Sequence, residues 1–425
     1  MFFSKRSSRT HDPYEALRFP EFRYFIGVKF IVTIAVQIEA VVVGWQLYDI
    51  TKDPLSLGLI GLAEAFPAIG VALLAGNIAD LVSRKRIVMI AYSVLFITAI
   101  ILFAFSYRQA YFLEQFGVWP IFFAIFLSGL ARGFNSPANF ALMSQLVPKQ
   151  AYLNSSTWNS SLWQIGAITG PTVGGFLYAY FNAATSYAVS AGLLLLAFIL
   201  FAFIKNKPLP PILKKEALKE RLLTGLRFVF RNQVILSAIS LDLFAVLFGG
   251  AVALLPIFAA EILKVGPEGL GALRAAPAVG SAIMAIVLTQ RAPMQHGGKV
   301  MLWSVLGFGA SMIAFALSTN FYLSLFFLAI SGAFDNISVV VRSTILQMLT
   351  PDHMRGRVSS VNQMFVGSSN EIGAFESGVT ARLMGTVSSV VFGGCMTILV
   401  VLFTHLKAPA LKTLNLLHLG KEQEA

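Results

Sequence analysis

The sequence predicts an all-α integral membrane protein of twelve transmembrane helices, arranged as two pseudo-symmetric six-helix bundles. Three observations carry that prediction. The 425 residues are 56% hydrophobic and only 12% charged, with a mean hydropathy of +0.74, which excludes a soluble globular class. Apolar runs of roughly 18 residues or more, enough to cross a bilayer as a helix, recur along nearly the whole chain. The chain also repeats. When Ser128 is laid on Ser331, Gly129, Leu146, Pro148, Ser156, Asn159, Gly170 and Gly175 fall on Gly332, Leu349, Pro351, Ser359, Asn362, Gly373 and Gly378. The matches concentrate on residues that set helix ends and close contacts, as in a duplicated chain whose halves share a topology.

Taken in order, a segment at 1–21 precedes a first bundle at 22–204. Its spans are expected at 22–48, 57–79, 87–105, 118–142, 152–180 and 183–203, with the turn DITKDPLS closing the first and a polar loop at 106–117 before the fourth. The first apolar run is too long for a signal peptide and is expected to stay as a helix. A basic linker, 205–232, opens with Pro208, Pro210 and Pro211 and then turns helical and amphipathic. The second bundle, 233–406, has spans expected at 233–259, 267–289, 300–318, 321–346, 356–382 and 387–406, and a tail follows at 407–425. The single cysteine, Cys395, excludes an internal disulfide, and the histidines lack metal-ligand spacing, so neither metal nor cofactor is expected.

Lys and Arg set the orientation. With twelve spans both termini share a side. That side takes Lys5, Arg6, Arg9, Arg84, Lys85 and Arg86, the linker cations from Lys205 to Arg231, and Arg355, Arg357 and Lys407. The other side keeps Lys52, Arg108 and Lys264. The termini and linker are therefore expected in the cytoplasm. The net charge of +12 reads as topology and contact with anionic lipid, with no nucleic-acid partner.

The turn after the second span reads Gly76-Asn77-Ile78-Ala79-Asp80-Leu81-Val82-Ser83-Arg84-Lys85-Arg86. Physically it is a tight loop in which Asp80 can cap the next helix or pair with Arg84. It resembles the G-x-L-a-D-r-x-G-r-[KR] signature of the major facilitator superfamily, with Ser83 at a usual glycine. The resemblance implies that Gly76, Asp80, Arg84 and Lys85 form a gate whose carboxylate latches the two halves in one transport state. The equivalent turn of the second half, 290–299, lacks the aspartate. In the fifth span, Gly166, Gly170, Gly174 and Gly175 leave a face without side chains for a close neighbour, and Pro171 removes a backbone hydrogen bond. This run resembles a signature carried more often by the superfamily's exporters than by its importers. The second half, through Asp242–Pro256, Thr350–Val358 and Asn370–Gly378, resembles a bacterial branch that includes the enterobactin exporter. The likeness covers about residues 15–405.

Charges inside the spans are costly in hydrocarbon and should face a cavity or a partner. They are Lys29, Glu39, Glu64, Arg132, Asp242, Arg274, Asp335, Arg342, Glu371, Glu376 and Arg382. Lys29, Arg342 and Arg382 are expected to snorkel or to make structural ion pairs. Glu371, Glu39 and Glu376, with Arg132 as the switching cation, are the proton-coupling candidates. Glu64, Asp242, Arg274 and Asp335 are further cavity candidates. Asp335 is expected to be held ionised by Arg132 and Arg342. A second register, with Gly61 on Gly271, sets Ala65, Pro67, Ala68 and Gly70 on Ala275, Pro277, Ala278 and Gly280. Glu64 then corresponds to Arg274, and Arg132 to Asp335 in the first register, so equivalent positions carry opposite charges.

The expectation is a monomeric secondary transporter of the bacterial inner membrane. It would export a siderophore-like or amphipathic drug-like small molecule by proton antiport and alternating access. An importer or facilitator on the same fold remains an alternative. No Walker sequence and no Ser-His-Asp or Cys-His set is present, so no ATPase or other enzyme is expected.

Overall fold

The computed structural model describes residues 12–208, 218–290, 295–351 and 354–415, with side chains except at 72–77, 79–81, 153 and 218–223. Among the described residues there is no strand. The first half holds α1 (Pro20–Thr51), α2 (Pro54–Leu81), α3 (Arg84–Tyr107), α4 (Gln109–Phe116), α5 (Trp119–Leu146), α6 (Tyr152–Tyr180) and α7 (Ala183–Ala202). A linker helix, α8 (Leu218–Arg231), leads to α9 (Gln233–Phe248), α10 (Leu255–Ile257), α11 (Gly266–Thr289) and α12 (Gly297–Leu317). These are followed by α13 (Phe321–Leu349), α14 (Arg355–Met384), α15 (Thr386–Lys407) and α16 (Pro409–Lys412). Nine helices among the described residues are long and apolar enough to cross a membrane, or ten if α4 and α5, bent by 91°, are one span. α6 and α14 are as long but more polar.

The helix starts follow from side-chain acceptors that satisfy free backbone N–H groups. Asp53 accepts from Leu55 N at 3.0 Å ahead of Pro54, Asn182 from Thr185 N at 2.8 Å, and Asn320 from Leu323 N at 3.1 Å. Asn232 accepts from both Val234 N and Ile235 N. Two expectations change. The polar loop 106–117 contains a helix, α4, because its aromatic residues pack on the bundle, Phe112 against Phe105. The seventh span is broken: α9 stops at Gly249-Gly250, and a 3-10 turn Ala251–Leu254, α10 and a π turn Phe258–Ile262 complete it. Paired glycines favour leaving the helix, and Pro256 offers no backbone donor.

In the first half α1 packs on α6 and α7, α2 on α5, and α3 on α5 and α7. In the second, α11 packs on α13, α12 on α13 and α15, and α9 on α14 and α15. The halves meet along α2–α14 and α6–α11. These are symmetry-equivalent contacts, since one repeat register relates α2 to α11 and the other relates α6 to α14. One buried apolar cluster crosses between the halves, joining Val41, Tyr48 and Leu57 to Leu254, Phe258 and Phe315 at the end opposite the chain termini.

Candidate functional site

Between the halves lies a cavity of about 440 Å³. Its walls come from α1, α2, α3, α5, the broken seventh span, α11, α12, α13 and α14. Six of the ionisable residues singled out in the sequence line it: Glu39, Glu64, Arg132, Arg274, Asp335 and Glu371. A cavity of this size with few charged groups among apolar ones has the make-up of a small-molecule site.

The charges are partnered unequally. Arg132 forms an ion pair with Glu64, joining α5 to α2 inside the first half. Glu39 is buried on α1 and accepts a hydrogen bond from Ser190 Oγ of α7 at 2.7 Å, with no cation as partner among the described residues. Glu371 lies in the electrostatic field of both Arg132 and Arg274, which approach it from opposite halves. Arg274 and Asp335 occupy the positions equivalent to Glu64 and Arg132. Yet they make no ion pair or hydrogen bond within the described residues, so the first half holds its version of this pair closed and the second does not.

Three expectations are corrected here. Asp335 is not held by Arg342 or Arg132. Arg342 pairs with Asp242, both nearly fully buried, and Ser338 Oγ donates to Asp242 Oδ1 at 3.3 Å. Asp242 is accordingly outside the main cavity, because α9 turns it toward α13. Glu376 also lies outside the cavity lining, since five residues beyond Glu371 is about 140° around the helix. The three structural candidates divide. Lys29 donates to Asn159 Oδ1, Arg342 forms the buried pair, and Arg382 stands 3.6 Å from Asp53, linking the end of α14 to the α1–α2 turn.

The halves are closed against each other at the end opposite the termini. A Cβ on Gly378 of α14 would lie 2.6 Å from Gly58 Cα of α2, and one on Gly271 of α11 would lie 2.6 Å from Pro171 O of α6. Tyr48 hydroxyl donates to Glu261, bridging α1 and the π turn. On α6, Gly166, Gly170 and Gly174 face α1, and Gly175 faces α11. The helix runs unbroken through Pro171. In the gate motif, Gly76 lies within α2 and the Asp80 side chain lies outside the described residues. Arg84 donates to Ala141 O of α5 at 3.1 Å and Lys85 to Ala202 O at 2.7 Å, so both cations bond helix carbonyls of the first half, Lys85 at the C-terminal turn of α7.

Sequence reasoning missed the uncharged partners. Gln46, 1% exposed, bonds Ser106, Gln109 and Tyr187 and ties α1 to α3, α4 and α7. Its signal was a lone amide in a long apolar run. The partnership of Glu39 with Ser190 had no comparable signal, because serine is common in these helices.

The family model described as transmembrane secretion effector matches residues 11–422. The enterobactin exporter EntS of Shigella flexneri is 26% identical over 375 residues, covering 87% of each chain, and that of Escherichia coli O81 is equally similar. Among solved structures, a POT family transporter in complex with 5-aminolevulinic acid superposes with a TM-score of 0.71 at 13% identity, over 92% of this chain and 96% of that one. A bacterial homologue of the human lysosomal transporter Spinster, inward-facing and unoccupied, gives 0.69 at 13%, over 94% and 97%. The fold, the charged cavity between equivalent halves and the near-complete family match agree: the chain belongs to the transmembrane secretion effector family of the major facilitator superfamily.

Proposed function

We propose that this chain exports a small organic molecule from the bacterial cytoplasm across the inner membrane in exchange for protons, with two six-helix bundles, 22–204 and 233–406, rocking about the cavity. Twelve spans, cytoplasmic termini and a monomer complete the proposal. The observation that carries it is the cavity itself. It combines acids that have no cation partner among the described residues, Glu39 and Asp335, with Arg132, whose partner Glu64 lies on another helix. Carboxyl groups of this kind inside a membrane are the groups a proton gradient can address. The named relatives support a siderophore-like substrate, and the apolar wall supports amphipathic drug-like ones.

In this reading Glu371 and Glu39 carry protons. Arg132 is the switching cation: it can leave Glu64 for Glu371 as charges change, which supplies the two-state element coupling requires. The contacts opposite the termini support a state closed on that side, and Asp80, Arg84 and Lys85 serve the opposite gate. Purified protein in proteoliposomes, with enterobactin and ethidium as probes and an imposed pH gradient, tests the proposal. Wild type should move a probe uphill against the proton flow. Glu371→Gln should abolish uphill movement and keep downhill exchange. Uphill transport by both Glu371→Gln and Glu39→Gln would remove the coupling assignment, and flux only toward the cytoplasm would favour an importer.

A further inference from the structure

Beside the main cavity lies a second, much smaller one of about 10 Å³. Its polar lining is Asp335, Asp242 and Ser338, and the remainder is apolar, including Phe308 and Phe334. Asp335 lines both cavities together with Val246 and Phe308, and of the polar side chains lining the small one it alone also faces the main cavity. The small one has about the space of a single water, and a buried water needs two to four polar partners, which these three side chains supply. We infer that Asp335 exchanges its proton with the Asp242–Arg342 pair through one bridging water held by Ser338, giving the second bundle a proton path of its own beside the substrate cavity.

Ser338 lies about one turn from Asp335 toward the terminus side of α13, and Arg342 one turn further. The path therefore leads away from the closed end. The groups facing Asp335 make the direction of exchange specific. From α9 comes Asp242, from α11 Arg274, from α14 Glu371 and from its own helix Arg342, while α12 presents Phe308 and Met312. Across the cavity stand Arg132, Glu64 and Glu39, of which Arg132 is already occupied by Glu64. Asp242 is thus the acid that a proton on Asp335 can reach without crossing the substrate's volume.

The step breaks two O–H bonds and forms two, with a net transfer of one proton. Asp335 gives its proton to the water, and the water gives one of its own to Asp242. The charge on Asp242 is then lost and Arg342 is left without its partner, which favours return or onward release. Ser338 is a positioning residue, and the proton stays on oxygen throughout. This inference deepens the antiport reading and rests on it.

The test follows the proton directly and needs no transported molecule. In full-length protein in lipid nanodiscs, the infrared band of protonated carboxylic acids is recorded after a pH jump, and the component lost in Asp335→Asn identifies Asp335. Asp242→Asn and Ser338→Val should each slow its exchange by roughly 10²-fold, the low end of what a positioned proton-transfer group contributes. Ser338→Thr, which keeps the hydroxyl, should restore the wild-type rate. Should Asp242→Asn fail to fold with Arg342 unpaired, the double variant Asp242→Asn with Arg342→Gln replaces it. Wild-type rates in Ser338→Val and the Asp242 variant overturn the relay, as does the absence of an Asp335 component at any pH. A relay that survives while the proteoliposomes ignore the pH gradient would fault the antiport reading alone.

Discussion

Replacing Gly378 by alanine is the smallest change that should alter the balance between transport states. Its new Cβ would lie 2.6 Å from Gly58 Cα, 2.8 Å from Gly58 N and 3.0 Å from Pro54 O, all backbone atoms that cannot swing aside. Restoring ordinary van der Waals separation needs α14 and α2 to part by about 1 Å at that level. Overpacking of this kind costs about 1–3 kcal/mol. If only the closed arrangement makes the contact, that cost moves the equilibrium between closed and open forms by about 5–150-fold. The measurement is the nitroxide distance across the end opposite the termini. Labels go on Glu114→Cys and Tyr322→Cys, both at exposed positions on different halves, in a Cys395→Ser background. Gly378→Ala should lengthen the distribution. Gly192→Ala, where an added Cβ meets nothing within 4 Å, should leave it unchanged. An unchanged distribution in Gly378→Ala, with normal expression, would refute the idea that this contact is made in one state only.

Two further outcomes are expected. Gly170→Leu should abolish probe transport in proteoliposomes, because even its Cβ would stand 2.5 Å from Gln37 Cβ and 3.2 Å from Ile34 O. Full activity would mean that α1 and α6 separate freely. Asp80→Asn should lower transport at least about tenfold, a coupling of about 1.4 kcal/mol, while leaving expression and membrane insertion at wild-type levels. Normal transport would remove the latch role.

The architecture was largely legible because its determinants are local or periodic. Apolar runs marked most of the long helices, and the two repeat registers related the helix pairs on which the halves meet. The cavity was legible through cost. An ion in hydrocarbon must have a reason, and six of the charged residues within the spans prove to share one space. Partner choice was not legible. Arg342 lies two turns from Asp335 on one helix, but the packing of α9 on α13 gives it Asp242. That depends on helix rotation, which one sequence specifies only through the whole packed set. The break in the seventh span was written in Gly249-Gly250 and Pro256, and its apolar continuity concealed it.

The Asp242–Arg342 pair also bears on how the protein is made. The acid belongs to α9 and the cation to α13, and two whole helices, α11 and α12, are synthesised between them. An unpaired acid or arginine near the middle of a helix opposes membrane insertion by about 2.5–3.5 kcal/mol. While the chain is still emerging, α9 therefore has no partner for its carboxylate, and α13 later brings a guanidinium that would be equally unfavourable alone. Each helix supplies what makes the other tolerable in lipid. On these energetics the second bundle reaches its settled packing only once α13 has arrived, and a chain that stops before α13 leaves the acid of α9 unpaired by Arg342.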